Sequence, residues 1–458
     1  MPRKLWRLLL ILAFGSSTFA LVTSWAQEVQ EPAPSTTPTK VKKATKFYVR
    51  QTVGDDTNDG KSPQTAWKSI SKLSNAMHAG DTAYVGPGLY RDKIMVLNEG
   101  SPDARITFIA DSTGQHTGDP PGVVMITGAD PIDENIFTRH SEGVYKAKLA
   151  PPVVGLTEMD GPQFRYNRVT QTKEFLVDKM PGVKIVARYP SSYFYDEENQ
   201  TLYIHTTDGK PPNTHEIEIF RRIAGISTLE GHRHITVIGF TFRHEGDSGI
   251  YFFKETGDGV AINNTAYGCR QGIRAYNSVH ITLIGNTLFR NENSGAYFVQ
   301  QSTNAKFINN VTYENVKGVR WGSQSVNGLA IGNTVFDNLE AGISLEDISG
   351  AVLRDNQISN NKETQLKVLL DAEYDSDNNC FQNGNSEQSV SHFSNVAFYD
   401  RQKTLPDYQK TKGRDLHSRE GGCQIPQKID VHKLHSDSMT YADRARKMIS
   451  ASTERRLQ

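Results

Sequence analysis

From residue 234 onward the chain is built from short runs in which apolar residues alternate with polar or small ones. Examples are "HITVIGFTF" (234–242), "GIYFF" (249–253), "ITLIGNTLF" (281–289), "GAYFV" (295–299) and "LAIGNTVF" (329–336). Successive side chains of a strand point to opposite faces, so each run predicts a short strand with one face buried.

The runs are periodic. Aligned on the Asn of "INN", "IGN" or "RDN", the markers are Asn264, Asn286, Asn310, Asn333 and Asn356, at steps of 22, 24, 23 and 23. Gly249, Gly272, Gly295, Gly318 and Gly342 repeat independently at steps of 23, 23, 23 and 24. Such a period signals a solenoid, either a leucine-rich repeat or a parallel β-helix. The L-x-x-L-x-L pattern is missing, whereas three short strands and three turns fill one period. The predicted fold is all-β: a right-handed parallel β-helix of about 23 residues per rung, with rungs ~4.8 Å apart. An amide carries both donor and acceptor. The repeated Asn is therefore expected to form a hydrogen-bonded column at one turn, as scaffold rather than catalytic motif.

Residues 66–78, "AWKSISKLSNAMH", space Trp67, Ile70, Leu73, Ala76 and Met77 along one helix face, predicting an amphipathic cap over the N-terminal end of the core. The preceding "GDDTNDG" lacks the closing Glu of a calcium loop and reads as a solvated turn. The period breaks over 131–222, where "YDEENQTLYIHTTDGKPPN" predicts a β-rich insertion with hairpin turns at "DEENQ" and "DGKPPN". The N-terminus has a basic start (Arg3, Lys4, Arg7), an apolar run from Leu8 to Phe14 and small residues before Gln27, the pattern of a secretory signal peptide. The expected organisation is a signal peptide (1–26), a Pro/Thr/Lys-rich linker (27–45), the cap and first rungs (46–130), the insertion (131–222), the main rungs (223–390), and a C-terminal loop with a helical tail (391–458).

The expected location is therefore secreted or periplasmic, with no stable membrane insertion after cleavage. Lys+Arg and Asp+Glu both number 51, so the net charge is zero and offers no broad attraction to nucleic acid or anionic membrane. A monomer is expected. Of the three cysteines, Cys380 and Cys423 flank late turn-rich segments and are paired as a disulfide, which leaves Cys269 as a buried thiol.

"FYVRQTVGDDTNDGKSPQTAWKSISKLSNAMHAGDTAYVGPGLY", the insertion, and the late phrases "DSDNNCFQNG" and "TLPDYQKTKGRDLHS" together resemble secreted β-helix proteins of the pectate-lyase-like superfamily. Tyr408 stands where that late phrase usually has Trp. The resemblance spans most of residues 46–420 and implies the fold more than the reaction, since such proteins include lyases, hydrolases and epimerases.

Chemistry is sought where equivalent repeat positions differ and face outward. After each marker Gly, alternation puts Ile250, Ile273, Ala296, Val319 and Ile343 inside. It puts Tyr251, Arg274, Tyr297, Arg320, Ser344 and then Lys367 outside, followed two positions on by Phe253, Tyr276, Val299, Gly322 and Glu346. Aromatic faces suit sugar rings, and Arg forks suit carboxylates or sulfates. The resemblance implies that this face is a polysaccharide groove. The expected function is binding and cleavage of an acidic or decorated polysaccharide. Tyr251, Phe253, Arg274 and Tyr276 hold substrate, and Arg320, Lys367, Tyr297 and Glu346 are catalytic. In β-elimination Lys367 or Arg320 is the base and Tyr297 the proton donor. In hydrolysis Glu346 pairs with Asp371 or Glu373. The alternative is a non-catalytic glycan-binding or surface-structural β-helix. Asp371, Glu373, Asp375 and Asp377 share one side of an extended chain and read either as Ca2+ ligands or as an acidic surface loop, with no other cofactor called for. His244–Glu245 reads as a surface contact.

Overall fold

A computed structural model describes residues 43–159, 182–369, 372–383 and 404–429, with the backbone alone at Asn167–Arg168. The expected signal peptide, most of the linker, Asp371 and the helical tail lie outside them.

Three parallel sheets run along a solenoid. Sheet I has ten strands, from Lys46–Val49 to Tyr374–Asp377; sheet II has ten, from Gly88–Tyr90 to Arg419–Glu420; sheet III has eight, from Ile94–Val96 to Thr364–Leu369. A typical rung passes from Thr282–Ile284 in sheet I to Thr287–Phe289 in sheet II and Ser294–Val299 in sheet III. This is the parallel β-helix that the period predicts. Ile250, Ile273, Ala296, Val319 and Ile343 all point into one continuous core.

The Asn column stands at the turn from sheet I to sheet II. Asn264, Asn286, Asn310, Asn333, Asn356 and also Asn379 are buried. From Asn286 onward, each Oδ1 accepts both the backbone N–H and the side-chain N–H of the Asn one rung earlier, at 2.8–3.2 Å. Each Nδ2 donates to the earlier rung's backbone as well, as from Asn333 to the Phe307 carbonyl at 2.8 Å. The residue before each column Asn is left-handed, and this position runs Asn263, Gly285, Asn309, Gly332, Asp355, Asn378. The early alternation has a steric cause. A Cβ on Gly285 would lie 2.3 Å from Asn263 Oδ1, and one on Gly332 would lie 2.4 Å from Asn309 Oδ1. A side chain on one rung thus occupies the space above glycine on the next, which is why "IGN" and "INN" take turns. A second column, Asn291, Asn315, Asn338 and Asn361, does the same work at the turn from sheet II to sheet III and ends on Gln365.

The marker glycines of sheet III answer to close approach. A Cβ on Gly272, Gly295 or Gly318 would fall 2.5–2.6 Å from the carbonyl oxygen of the glycine one rung on.

The N-terminal cap is shorter than the sequence spacing predicts. A 3-10 turn, Ile70–Lys72, leads into one α-turn, Leu73–Ala76, and the chain is extended again at Met77, whose side chain plugs the core. "GDDTNDG" does more than meet solvent: Asp56 accepts from Lys68 N, Ser69 N and Ser69 Oγ at 2.6–3.0 Å and fixes the entry to the cap. At the other end the expected C-terminal loop contains a helix, Leu405–Lys412, whose Tyr408 is fully buried and bonds Tyr374 Oη at 2.8 Å. Asp415 and Ser418 terminate the Asn column by accepting Asn379 Nδ2 at 3.0 Å and Asn379 N at 2.7 Å. Cys380 and Cys423 form the disulfide, and Cys269 is a buried thiol.

Between Val124–Thr127 of sheet II and Ala224–Thr228 of sheet III the chain leaves the solenoid. Ala129–Pro131, Ile217–Phe220 and Gly155–Glu158 form an antiparallel neck beneath a five-stranded sheet. Residues 197–200 connect a true hairpin. "DGKPPN" does not: it carries the chain from Thr201–His205 in the outer sheet to the neck, because Pro211 and Pro212 have no N–H to continue a ladder.

Replacing Asn333 by Ala removes four buried hydrogen bonds and strands the Asn310 N–H. Urea unfolding is expected to show a loss of roughly 3 kcal/mol, against less than about 0.5 for Lys306→Ala on the exposed side of the preceding rung.

Candidate functional site

Sheet III presents its outward row in strict register. Tyr251 pairs with Arg274, Arg274 with Tyr297, Tyr297 with Arg320, Arg320 with Ser344, and Ser344 with Lys367. The row predicted from alternation is therefore one column of side chains.

Its two halves differ. On the earlier rungs it is aromatic. The Arg274 guanidinium lies 5.1 Å from the Tyr251 ring centroid, 5.3 Å from Tyr276 and 5.9 Å from Tyr297, and Phe253 stacks on Tyr276 at 6.2 Å. Asp247 anchors Arg274 through Nη1 at 2.6 Å. On the later rungs the row is charged. Arg320 covers Tyr297 at 4.5 Å and donates from Nε and Nη2 to Glu346 Oε2 at 2.9 and 2.5 Å, while Ser344 Oγ donates to Glu346 Oε1 at 2.7 Å. Lys367 Nζ meets Glu340 Oε1 at 2.5 Å. Lys317 Nζ lies 3.1 Å from Glu340 Oε2 and 3.9 Å from Glu346 Oε1. One ammonium thus joins two carboxylates, whose nearest oxygens are no more than about 7 Å apart, a spacing at which two carboxyls can act on opposite sides of one bond.

Burial alone would raise the Glu340 carboxyl, but the hydrogen bond from Lys367 and the charge of Lys317 outweigh it and hold the group below the usual carboxylate range. Burial pushes the Tyr251 and Tyr297 phenols up, against the opposing charges of Arg274 and Arg320, so both stay protonated at neutral pH.

Several expectations change. Val299, Ser344 and Glu346 lie on the outward side yet are buried. Lys367, expected as a base, is engaged by Glu340 in an ion pair. Glu373 is exposed at the entry to sheet I, bonded through its backbone to Ile348 and Ala351, and is not on the face that carries Glu346; Asp371 lies outside the described residues. The carboxylate beside Glu346 is instead Glu340, two residues before a marker Gly, where Asp247 stands four rungs earlier. Asp375 and Asp377 share one side of their strand, but Asp375 pairs with Arg354 and Asp377 with His417 at 2.7 Å. Among the described residues no group of three or more His, Cys, Asp or Glu is placed to hold a metal ion.

His244–Glu245 is not a surface contact, because the neck of the insertion covers it and both residues are buried. Glu218 of the neck receives Arg91 Nη2 at 2.8 Å, Arg243 Nη2 at 3.1 Å and His244 Nδ1 at 3.2 Å. Glu245 and Cys269 hold the inward position that Asn291 and its successors hold later, and burial pushes the Glu245 carboxyl well above its usual range despite Arg222 and Lys93.

The sequence profile of a family described as "Periplasmic copper-binding protein (NosD)" matches residues 239–386, the repeated rungs. Among the described residues no group of three or more His, Cys, Asp or Glu stands where it could hold the copper in that name. Among curated proteins none matches this chain in sequence. Among solved structures, "The complex structure of XylC with xylose" is similar over 76% of this chain and 67% of that one, at 16% identity and a TM-score of 0.57. One described as a glycoside hydrolase covers 77% and 95% at 10% identity and TM-score 0.48, and a GH136 lacto-N-biosidase from Eubacterium ramulus covers 82% and 68% at 10% identity and TM-score 0.41. The first likeness is one of fold. At that level the resemblance to pectate-lyase-like β-helix proteins holds. No helix among the described residues is long and apolar enough to cross a membrane.

Burial alone would raise Glu218, but the hydrogen bond from His244 and the charges around it outweigh that and hold it at about 2, below its usual 4.5. A depressed carboxylate contributes stability above its unfolded pKa and loses it as pH falls through the folded one. The stability deficit of Glu218→Gln in urea unfolding is expected to be roughly 3 kcal/mol at pH 6 and to shrink steadily as pH falls from about 4.5 toward 2. A deficit independent of pH would contradict the assignment.

Proposed function

We propose that this protein acts outside the cytoplasm, binds a polysaccharide along the outward face of sheet III and hydrolyses a glycosidic bond beside Glu340 and Glu346. The observation that carries this reading is the continuity of an aromatic platform with two neighbouring carboxylates on one registered face. Sugar rings stack on Tyr251, Phe253, Tyr276 and Tyr297, since their apolar faces complement aromatic ones. Glu340, kept ionised by Lys317 and Lys367, serves as base or nucleophile. Once an acidic group on the bound chain draws Arg320 away, Glu346 takes up a proton from solvent and passes it to the leaving glycosidic oxygen.

Hydrolysis is preferred to β-elimination because Lys367 and Arg320, either of which would be the base for elimination, are bound to Glu340 and Glu346. The match of a family described as periplasmic accords with action outside the cytoplasm. A monomer suffices, since the whole face lies within one chain.

The test is a polysaccharide panel assayed for new reducing ends and for unsaturated products. New reducing ends without unsaturation are expected. Glu340→Gln and Glu346→Gln should each lower kcat by about 10²–10⁴ with affinity retained. Unsaturated products would replace hydrolysis by elimination. Binding with neither product would leave a glycan-binding β-helix without catalysis.

A further inference from the structure

A second concavity lies away from sheet III. It is a groove of about 550 Å³, open to solvent, along the turn from sheet I to sheet II. Two rows of the repeat line it. One is the turn row that runs from Asn263 through Gly285, Asn309 and Gly332 to Asp355. The other is an outward row of sheet II, where Thr287, Val311, Thr334 and Gln357 pair from rung to rung. The chain at Gln424, Ile425 and Pro426 forms a wall. That wall is anchored on both sides. Cys423 is joined to Cys380, Lys428 meets Glu314 and Asp337 at 2.8 and 2.7 Å, and Ile429 N donates to Tyr313 Oη at 3.0 Å.

The backbone N–H groups of the turn row are already used. Those of Asn263, Gly285, Asn309 and Gly332 donate to carbonyls one rung on, at 2.9–3.1 Å. An extended peptide adding itself as a strand would find none of them to pair with. The side chains differ. Among the described residues, the amides of Asn263 and Asn309 and the hydroxyls of Thr287 and Thr334 have no hydrogen-bond partner. Amides and hydroxyls both donate and accept, which suits a ligand rich in hydroxyl groups. Val311, Ile425 and Pro426 add apolar surface for the C–H face of a ring. None of the described lining residues is a cation, and Asp355 is an anion, so an acidic chain is disfavoured here. The free amides recur every second rung, ~9.6 Å apart. In a β-1,4-linked chain successive rings are flipped, so each edge also recurs every second ring.

We infer that this groove is a second glycan site, separate from sheet III, and that it takes a neutral β-1,4-linked oligosaccharide. Asn263 and Asn309 bind hydroxyls on one edge of alternate rings. Thr287 and Thr334 bind from the sheet, and the anchored wall at Ile425 and Pro426 packs on the ring face. The site holds a neutral chain without acting on it.

The test uses hexasaccharides of β-1,4-linked glucose, xylose and mannose, with binding measured by titration calorimetry and folding by thermal melting. Two groove variants copy residues that the repeat itself uses. Asn263→Gly with Asn309→Gly repeats Gly285 and Gly332 at the same left-handed position, and Thr334→Val repeats Val311 of the preceding rung. Wild type should bind at least one hexasaccharide. The double variant should lose about tenfold in affinity or more, and Thr334→Val should lose a few-fold with its melting temperature unchanged. Tyr297→Ala on sheet III should leave this binding intact. Binding of none of the three by wild type would overturn the proposal, as would unchanged affinity in both groove variants. Loss in Tyr297→Ala with none in the groove variants would move the neutral chain to sheet III and overturn it too.

Discussion

A solenoid of this kind depends on satisfying backbone and side-chain polar groups at its tight turns, where the chain changes sheets and the ladder is interrupted. Here the buried Asn columns meet that need. Each Oδ1 takes two donors from the rung before it, and each Nδ2 returns a bond to that rung. An unpaired polar group at such a depth is costly, so each amide is bound to its neighbours on both sides. Every rung is thereby held at one rotation relative to the last. Asp415 and Ser418 show what ending such a column requires: a carboxylate and a hydroxyl take over the acceptor role of the missing Asn.

This constraint positions the face of interest. Because the turns fix the rotation of each rung, Tyr251, Arg274, Tyr297, Arg320, Ser344 and Lys367 fall in one line without contacts designed for that purpose. The face is then free to vary from rung to rung. It moves from rings around one guanidinium to carboxylates held by cations, within three rungs of Tyr276. The insertion replaces a single turn from sheet II to sheet III, and its neck closes over Arg243, His244 and Glu245 without interrupting the sheets.

The repeat was legible because scaffolding is repetition: Asn and Gly at fixed steps required only counting. The outward row followed from alternation alone. The carboxylate partner of Glu346 was not legible. Glu340 precedes its strand, at a position where equivalent rungs carry Arg270, Asn293 and Val316, and only the curvature of the turn brings it to Lys317 and Lys367. Glu373, one rung along in sequence, follows its strand and turns away toward sheet I. The burial of His244 and Glu245 depends on a neck strand, Ile217–Phe220, more than twenty residues upstream. The second Asn column was present in the sequence at the same period, at Asn291, Asn315, Asn338 and Asn361, and a search for additional registers of the same step would have found it.

The central claim is that the rings of sheet III are a glycan platform. Hydroxyl-radical footprinting of the tyrosines with and without a bound polysaccharide tests it most directly. Tyr251, Tyr276 and Tyr297, all partly exposed, should lose reactivity when ligand is added, while Tyr48 on sheet I and Tyr203 on the insertion should not change. Protection of Tyr48 or Tyr203 with the sheet III tyrosines unaffected would contradict the account.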